Sequence, residues 1–346
     1  MNAHGVILVP AIAYCAAYQI LHVLRPDLGA PHLLTGFFFA FLTFMPLLFL
    51  GLAMKEFYRI ARHEKPDSPI RALGQALKKF VTNPVPMAHG LPVLLVVCVI
   101  AFIFSDIQSN TFTLNPNGWD KYFAELDRTL HFGKQPWEWL QPVFGYAPIT
   151  FLLNLNYNLW YISMIVILIH FAFAEHASPT RTQFLISYIA LWVIVGNVLA
   201  VIFASGGPCY YSRLTFAPDP FDAQMEYLRH VNQTLPLWAV SLQDLLWTGH
   251  VRHVEGSVIS AMPSLHNGSA MLFAVAGYQI SRFWGHVLTA HAAFIFIGSI
   301  HLAWHYAIDS YVSWAVTLLI WILSGYIARW WHGTKSQIRF ENLIAS

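Results

Sequence analysis

Apolar runs of about 20 residues recur along this 346-residue chain, and they leave it few ways to fold. A bilayer core takes about 20 residues of helix to cross, and within it only helices and closed barrels satisfy every backbone N–H and C=O. The runs read as eight helices: Val6 to about Leu24, Leu33–Met54, Gly90–Phe104, Leu159–Phe173, Phe184–Ala204, Ser264–Ile280, Val287–Trp304 and Tyr306 to about Ile327. Charged residues make up only 10% of the chain against about 25% in a soluble domain. The fold class expected is therefore an all-α integral membrane protein.

Between the runs lie three polar stretches. Residues 55–83 are basic with apolar positions at helical spacing (Ile70, Leu73, Ala76, Leu77, Phe80), which predicts a helix lying along the membrane surface. The segment through Asn156 is mixed in charge and rich in Pro, Gly and Trp; within it Pro148–Leu155 is apolar but too short to span, and reads as a re-entrant or interfacial piece. Ser205–Met262 is the third. With the chain's two termini and residues 55–83, 174–183 and 281–286 on the cytoplasmic side, twelve Lys and Arg face inwards and seven outwards, a bias that favours this orientation. Three parts are expected: residues 1–86 with two helices and the surface helix, a six-helix catalytic membrane domain over 87–330, and a tail over 331–346.

Net charge is +2, with no basic run, so nucleic acid is not an expected partner. Three cysteines exclude a disulfide framework. The first residues carry no Lys or Arg and no small-residue cleavage site follows, so a cleaved signal peptide is not expected. The oligomeric state is left open.

Two polar motifs interrupt the apolar sequence. Pro263-Ser264-Leu265-His266 opens the sixth run and His305-Tyr306-Ala307-Ile308-Asp309 opens the eighth. Thirty-nine residues separate the two histidines, about two crossings and a tight turn, which returns both to one membrane face. Ionisable residues at that depth are costly, so their gathering points to function. His305 and Asp309, four apart, share a face if both are helical; the carboxylate then fixes the imidazole tautomer and frees the other nitrogen to attack. Capping of the eighth helix by Asp309 is the structural alternative. Pro263 suits the first turn of the sixth helix, whose free N–H groups make an anion site, with Ser264 as a further donor. Nucleophile, acid and anion cradle together suit phosphoryl transfer: His305 attacks phosphorus, His266 protonates the departing oxygen, Asp309 orients His305. No metal or other cofactor is required.

At these residues the chain resembles the type 2 phosphatidic acid phosphatase superfamily, whose second motif is P-S-G-H and third S-R-x5-H-x3-D. Pro263-Ser264-Leu265-His266 matches the second with Leu for Gly, and His305-x3-Asp309 the core of the third. The P-S-L-H and H-Y-x-x-D forms, with Gly206-Gly207-Pro208-Cys209-Tyr210-Tyr211, are most similar to the inositol phosphorylceramide synthase branch. The resemblance implies a six-helix phosphatase-like core, a lipid substrate, and either water or a lipid alcohol as acceptor, leaning to transfer of inositol phosphate; on the topology that the Lys and Arg bias favours, the site would face the periplasm or lumen. The first motif, K-x6-R-P, is not present: Arg25-Pro26 has Tyr18 where Lys should stand. The Ser-Arg of the third motif falls on Gly298-Ser299, so the phosphate-clamping Arg is missing. His301, Arg213 and Arg252 are the candidate replacements, and Tyr211 a further substrate contact. A proton-coupled transporter is the competing class, but no repeat or mid-helix carboxylate elsewhere supports it. A haem protein wants facing histidines deep in a bundle, whereas most of these 17 cluster at expected interfaces.

Overall fold

The computed structural model describes residues 4–29, 33–174, 176–214, 216–252, 254 and 256–334. The described secondary structure is helical, with no strand. The long helices are α1 (Gly5–Leu24), α2 (Leu33–Arg59), α3 (Pro69–Thr82), α4 (Pro84–Ser109), α5 (Asp120–Leu130), α6 (Pro136–Phe144), α7 (Ala147–Ala172), α8 (Pro179–Ile202, closing through a π-helical stretch Ile194–Leu199), α9 (Asp222–Asn232), α10 (Trp238–Val251), α11 (Leu265–Ile280), α12 (Arg282–His301) and α13 (Ala307–His332).

Six of these, α1, α4, α7, α8, α12 and α13, are long and apolar enough to cross a bilayer among the described residues. The protein is thus a polytopic integral membrane protein. Of the eight runs read in the sequence, α2 includes residues whose side chains lie outside the description, and α11, at 16 residues, is shorter than the others. One expectation is corrected. Pro148–Leu155 is not a separate piece but the first part of α7, continuous with the fourth run. Each asparagine that interrupts the apolar pattern there has one side-chain atom paired within the protein: Asn154 Oδ1 accepts from the Ala239 amide at 3.1 Å, Asn158 Nδ2 donates to the Asn154 carbonyl at 2.7 Å, and Asn156 Oδ1 lies 2.9 Å from His291 Nδ1. Paired asparagine is compatible with a buried helix face, so a dip in hydropathy is not a helix end.

Packing divides the chain into two units. The first comprises residues 1–103, 162–189 and 321–346. Within residues 55–83 a helix is present as α3, which buries none of its residues; Ile70 is 83% exposed. Arg181 anchors the first turn of α8. Its guanidinium donates to the carbonyls of Phe171 (2.8 Å), Ala172 (2.9 Å) and His89 (3.0 Å). These include orphan acceptors at the end of α7, and a planar five-donor fork is the side chain suited to reach several at once. Beside it the Phe171 and Phe184 rings stack at 4.2 Å.

The second unit comprises residues 104–161 and 190–320 and holds both histidine motifs. The polar segments are folded rather than loose. α5 turns Asp120, Phe123, Ala124 and Asp127 inward at spacings of three, four and seven, one face of a helix. Phe123 and Ala124 join Tyr211, Phe221, Met262 and Tyr306 in a buried cluster. α9 and α10 bring Gln224 and Gln243 to buried positions.

Replacing Arg181 with Met keeps the volume but strands three carbonyls. The variant is expected to lose about 2–3 kcal/mol of stability, read as a lower melting temperature in detergent micelles.

Candidate active site

α12 ends at His301 and α13 begins at Ala307, so a five-residue turn carries His305. The turn is tight: Ala303 takes φ 61°, and the amides of Trp304 and His305 both donate to the Ser299 carbonyl, at 3.0 and 3.1 Å. A helix end leaves carbonyls unpaired and a helix start leaves amides unpaired. Here each set is met by distant residues. On the carbonyl side, Gln224 Nε2 donates to Ile300 (2.7 Å) and His301 (3.1 Å), Gln243 Nε2 to Leu302 (2.9 Å), and the Cys209 amide to Ala303 (2.9 Å). On the amide side, the Asp127 carboxyl accepts from Ala307 (2.6 Å) and Ile308 (3.0 Å), and Asp309 Oδ2 reaches back to the Tyr306 amide at 3.0 Å. That last bond is the reach-back half of a capping box, with an acid at the third helical position.

Asp120 ties the turn to the Gly206–Tyr211 segment. Its two oxygens accept from the amides of Gly206 (2.9 Å) and Gly207 (2.8 Å) and from the Tyr306 hydroxyl (2.9 Å). Gly207, at φ +93°, is required there: a Cβ would stand 2.6 Å from the Trp304 carbonyl oxygen. Burial raises the pKa of Asp120, against the pull of its donors, and raises that of Asp127 to about 7, against its two amide donors.

His305 is buried, and its Nδ1 lies 2.9 Å from the Ala261 carbonyl oxygen and 3.3 Å from Asp309 Oδ2. A carbonyl only accepts, so Nδ1 carries the hydrogen and the neutral ring keeps its lone pair on Nε2. Burial lowers the His305 pKa to about 4, the Ala261 bond opposing it. The expected pairing of His305 with Asp309 is therefore present, but two expectations about it change. His305 is not on the helix with Asp309; the contact arises because a helix-start acid folds back over the preceding turn. The nearer partner of Nδ1 is a backbone carbonyl, and Asp309 caps the helix as well as facing the ring.

His266 sits in the first turn of α11, its ring centroid 6.1 Å from that of His305. Aromatic rings hold it: Tyr157 stacks on it at 4.7 Å and Trp160 lies at 4.2 Å, itself tied to α11 by an Nε1–H bond to Ser269 Oγ at 2.7 Å. Pro263 precedes this helix instead of occupying its first turn. Ser264 is the cap: its Oγ accepts from the Asn267 amide at 3.3 Å and from Asn267 Nδ2 at 3.0 Å, and it is fully buried. Asn267 Nδ2 also donates to Ser299 Oγ at 3.0 Å, so the position where the third motif's Arg would stand holds a buried serine inside this network.

Both histidines line one cavity of ≈ 320 Å³, together with Tyr157, Trp160, Trp238 and Trp304 and a mainly apolar remainder. The other expected residues lie away from its lining. His301 Nε2 is 2.9 Å from Thr150 Oγ1, which also meets the Tyr227 hydroxyl. Arg213 pairs with Asp244 and lies over the Trp247 ring. Tyr211 is in the buried cluster, and Arg252 is exposed at the end of α10. Among the described residues, no three His, Cys, Asp or Glu side chains gather as metal ligands. Asp120, Asp127, Gln224 and Gln243 were missed in the sequence. For the two acids a signal existed, since they share the apolar face of α5; for the glutamines there was none.

Removing the Asp127 carboxyl should expose its role. Asp127→Ala leaves two helix-start amides without an acceptor and should cost about 2–4 kcal/mol. The folded carboxyl holds its proton to about 7 and an unfolded one releases it near pH 4. Stability should therefore fall as pH rises from about 4 to about 7, and Asp127→Asn should make that slope shallower; melting temperatures across this range read both.

A comparison with protein families matches residues 121–323, more than half of the chain, to the PAP2 superfamily. Neither the curated proteins nor the solved structures provide a match.

Proposed function

The chain belongs to the PAP2 superfamily, and from that premise we propose that it is a lipid phosphotransferase working through a phosphohistidine on His305. The family fits a membrane lipid phosphatase or phosphotransferase in general; the finer assignment rests on the pairing of two imidazoles across one cavity, one with its Nδ1 hydrogen already engaged. That observation carries the reading. His305 Nε2 gives its lone pair to phosphorus while the bond from phosphorus to the departing lipid oxygen breaks. His266, carrying a proton, delivers it to that oxygen. The acceptor hydroxyl then attacks the phosphohistidine, gives its proton to His266, and Nε2 leaves with its electron pair. Asp309 and the Ala261 carbonyl hold the Nδ1 hydrogen throughout and stabilise the positive ring. Nothing in this sequence of steps calls for a metal or other cofactor.

Transfer of a phosphodiester head group to a lipid alcohol is favoured over hydrolysis because the cavity wall is largely aromatic and aliphatic (Trp238, Leu242, Leu246, Val258, Ile259), a lining that suits a lipid hydroxyl better than bulk water. Inositol phosphate is the head group implied by the resemblance noted in the sequence. We place the catalytic domain at residues 87–330, with Ser264 as the cap that aims the first turn of α11. Both termini are assigned to the cytoplasm and the site to the periplasmic or lumenal face, from the Lys and Arg bias.

The test is incubation of the purified protein with labelled phosphatidylinositol or phosphatidic acid, with and without a lipid alcohol. Label moving to the alcohol supports transfer; label released as free phosphate or inositol phosphate in the presence of the alcohol overturns it in favour of hydrolysis. His305→Ala should abolish turnover and any trapped phosphate. His266→Ala should slow departure most for poor leaving groups. Asp309→Asn keeps the Ala261 bond, so its loss should stay well below the factor of about 10⁴ expected where a carboxylate alone holds the tautomer.

The pH profile provides a separate check. With the His305 pKa lowered to about 4, the nucleophile stays neutral well below the ordinary histidine range. For a phosphodiester donor, the limb of kcat/KM that reports protonation of His305 should therefore lie near pH 4. An acid limb at about 6.5, the unperturbed value, would contradict this.

A further inference from the structure

The family's third motif supplies an arginine that this chain replaces with the buried Ser299, and Arg213, Arg252 and His301 lie outside the cavity lining. The charge that gathers on the phosphoryl oxygens must meet other donors. The Tyr157 hydroxyl and Trp304 Nε1, both on residues of the cavity lining, are buried donors with no hydrogen-bond partner among the described residues. Buried donors are nearly always paired, so two unpaired ones beside a histidine pair ask for an explanation. Their placement relative to the histidines is direct. The Tyr157 ring stacks on His266 at 4.7 Å, and Trp304 precedes His305 in the chain. The two rings are parallel within 5°, with centroids 6.4 Å apart.

We infer that Tyr157 and Trp304 form a neutral oxyanion site, which takes the non-bridging oxygens of a lipid phosphodiester in place of the missing guanidinium. The inference rests on the phosphotransferase reading above and names the phosphate-binding residues of that same site. Its chemistry is consistent with the cavity. Neutral donors in a largely apolar lining bind a singly charged phosphodiester without the burial of a fixed cation. A phosphodiester carries one negative charge, whereas a phosphomonoester carries close to two at pH 7. Two neutral donors thus select the diester as substrate, which agrees with head-group transfer.

Tyr157→Phe and Trp304→Phe remove a donor each and keep a ring in place. In full-length protein in detergent–lipid micelles, with labelled phosphatidylinositol as donor, each should lower kcat by about 10²-fold with little change in KM. Inhibition by orthovanadate, read on the same samples, should weaken by about tenfold in each. Tyr157→Leu, which also removes the ring from His266, should be worse than Tyr157→Phe. A double Phe variant with wild-type kcat and wild-type vanadate inhibition would overturn the inference, as would an equal loss for phenylalanine and leucine at position 157. Phosphate trapped on His305 of the wild-type protein separates the two readings: without it and without turnover, the phosphotransferase reading fails; with it, and with unaffected Phe variants, only the oxyanion site fails.

Discussion

Everything at the candidate site hangs on how the turn Leu302–Tyr306 disposes of its backbone polar groups. Two long helices meet there, and each brings unpaired groups to the junction. In water these would be solvated. In a buried junction each lost pairing costs about 1–3 kcal/mol, so the turn is stable only with partners supplied from elsewhere. Gln224, Gln243 and the Cys209 amide cover the carbonyls, while Asp127 and Asp309 cover the amides. His305 stands where these two sets meet, and its orientation is a by-product of that accounting as much as of its own bond to Ala261.

The two histidines are held by different physics. His305 is fixed by directional hydrogen bonds at one ring nitrogen, which settles its tautomer. His266 is fixed by faces, between Tyr157 and Trp160. Ring contacts restrict tilt and translation but leave both nitrogens of His266 free to exchange a proton. A nucleophile profits from a settled tautomer and a proton carrier from an unsettled one, so each imidazole has the support that its proposed role wants. Trp160 adds a mechanical link, because its bond to Ser269 ties the ring that packs on His266 to the helix that carries His266.

Much of this was legible in the sequence, and for clear reasons. Lipid imposes length and apolarity on each crossing, so the helical class and most of the spans follow from composition alone. The spacing of His266 and His305 placed them together because two crossings must return to one face. What the sequence concealed was polar pairing over long separations. Asparagines in α7 looked like the end of a helix because their partners, Ala239 and His291, lie far along the chain. His301 stood among the candidate replacements for the missing arginine, but the chain leaves the helix after His301 and the side chain turns to Thr150. Asp309 was read as either a partner of His305 or a cap, and one oxygen does both. Asp120 and Asp127 were not singled out in their mixed-charge segment, although their seven-residue spacing with Phe123 and Ala124 between them marks an inward face.

Chain order gives the Asp120 bridge a consequence for biosynthesis. Asp120, Asp127, Gly206, Gly207, Gln224, Gln243 and Ala261 all precede the hairpin of α12 and α13 that they hold. As the ribosome extends the protein, each of these clasps is made before the piece it fastens. The imidazole of His305, the proposed nucleophile, is then among the last groups to be seated, and a polypeptide stopped at the end of α12 carries the scaffold of the site without it.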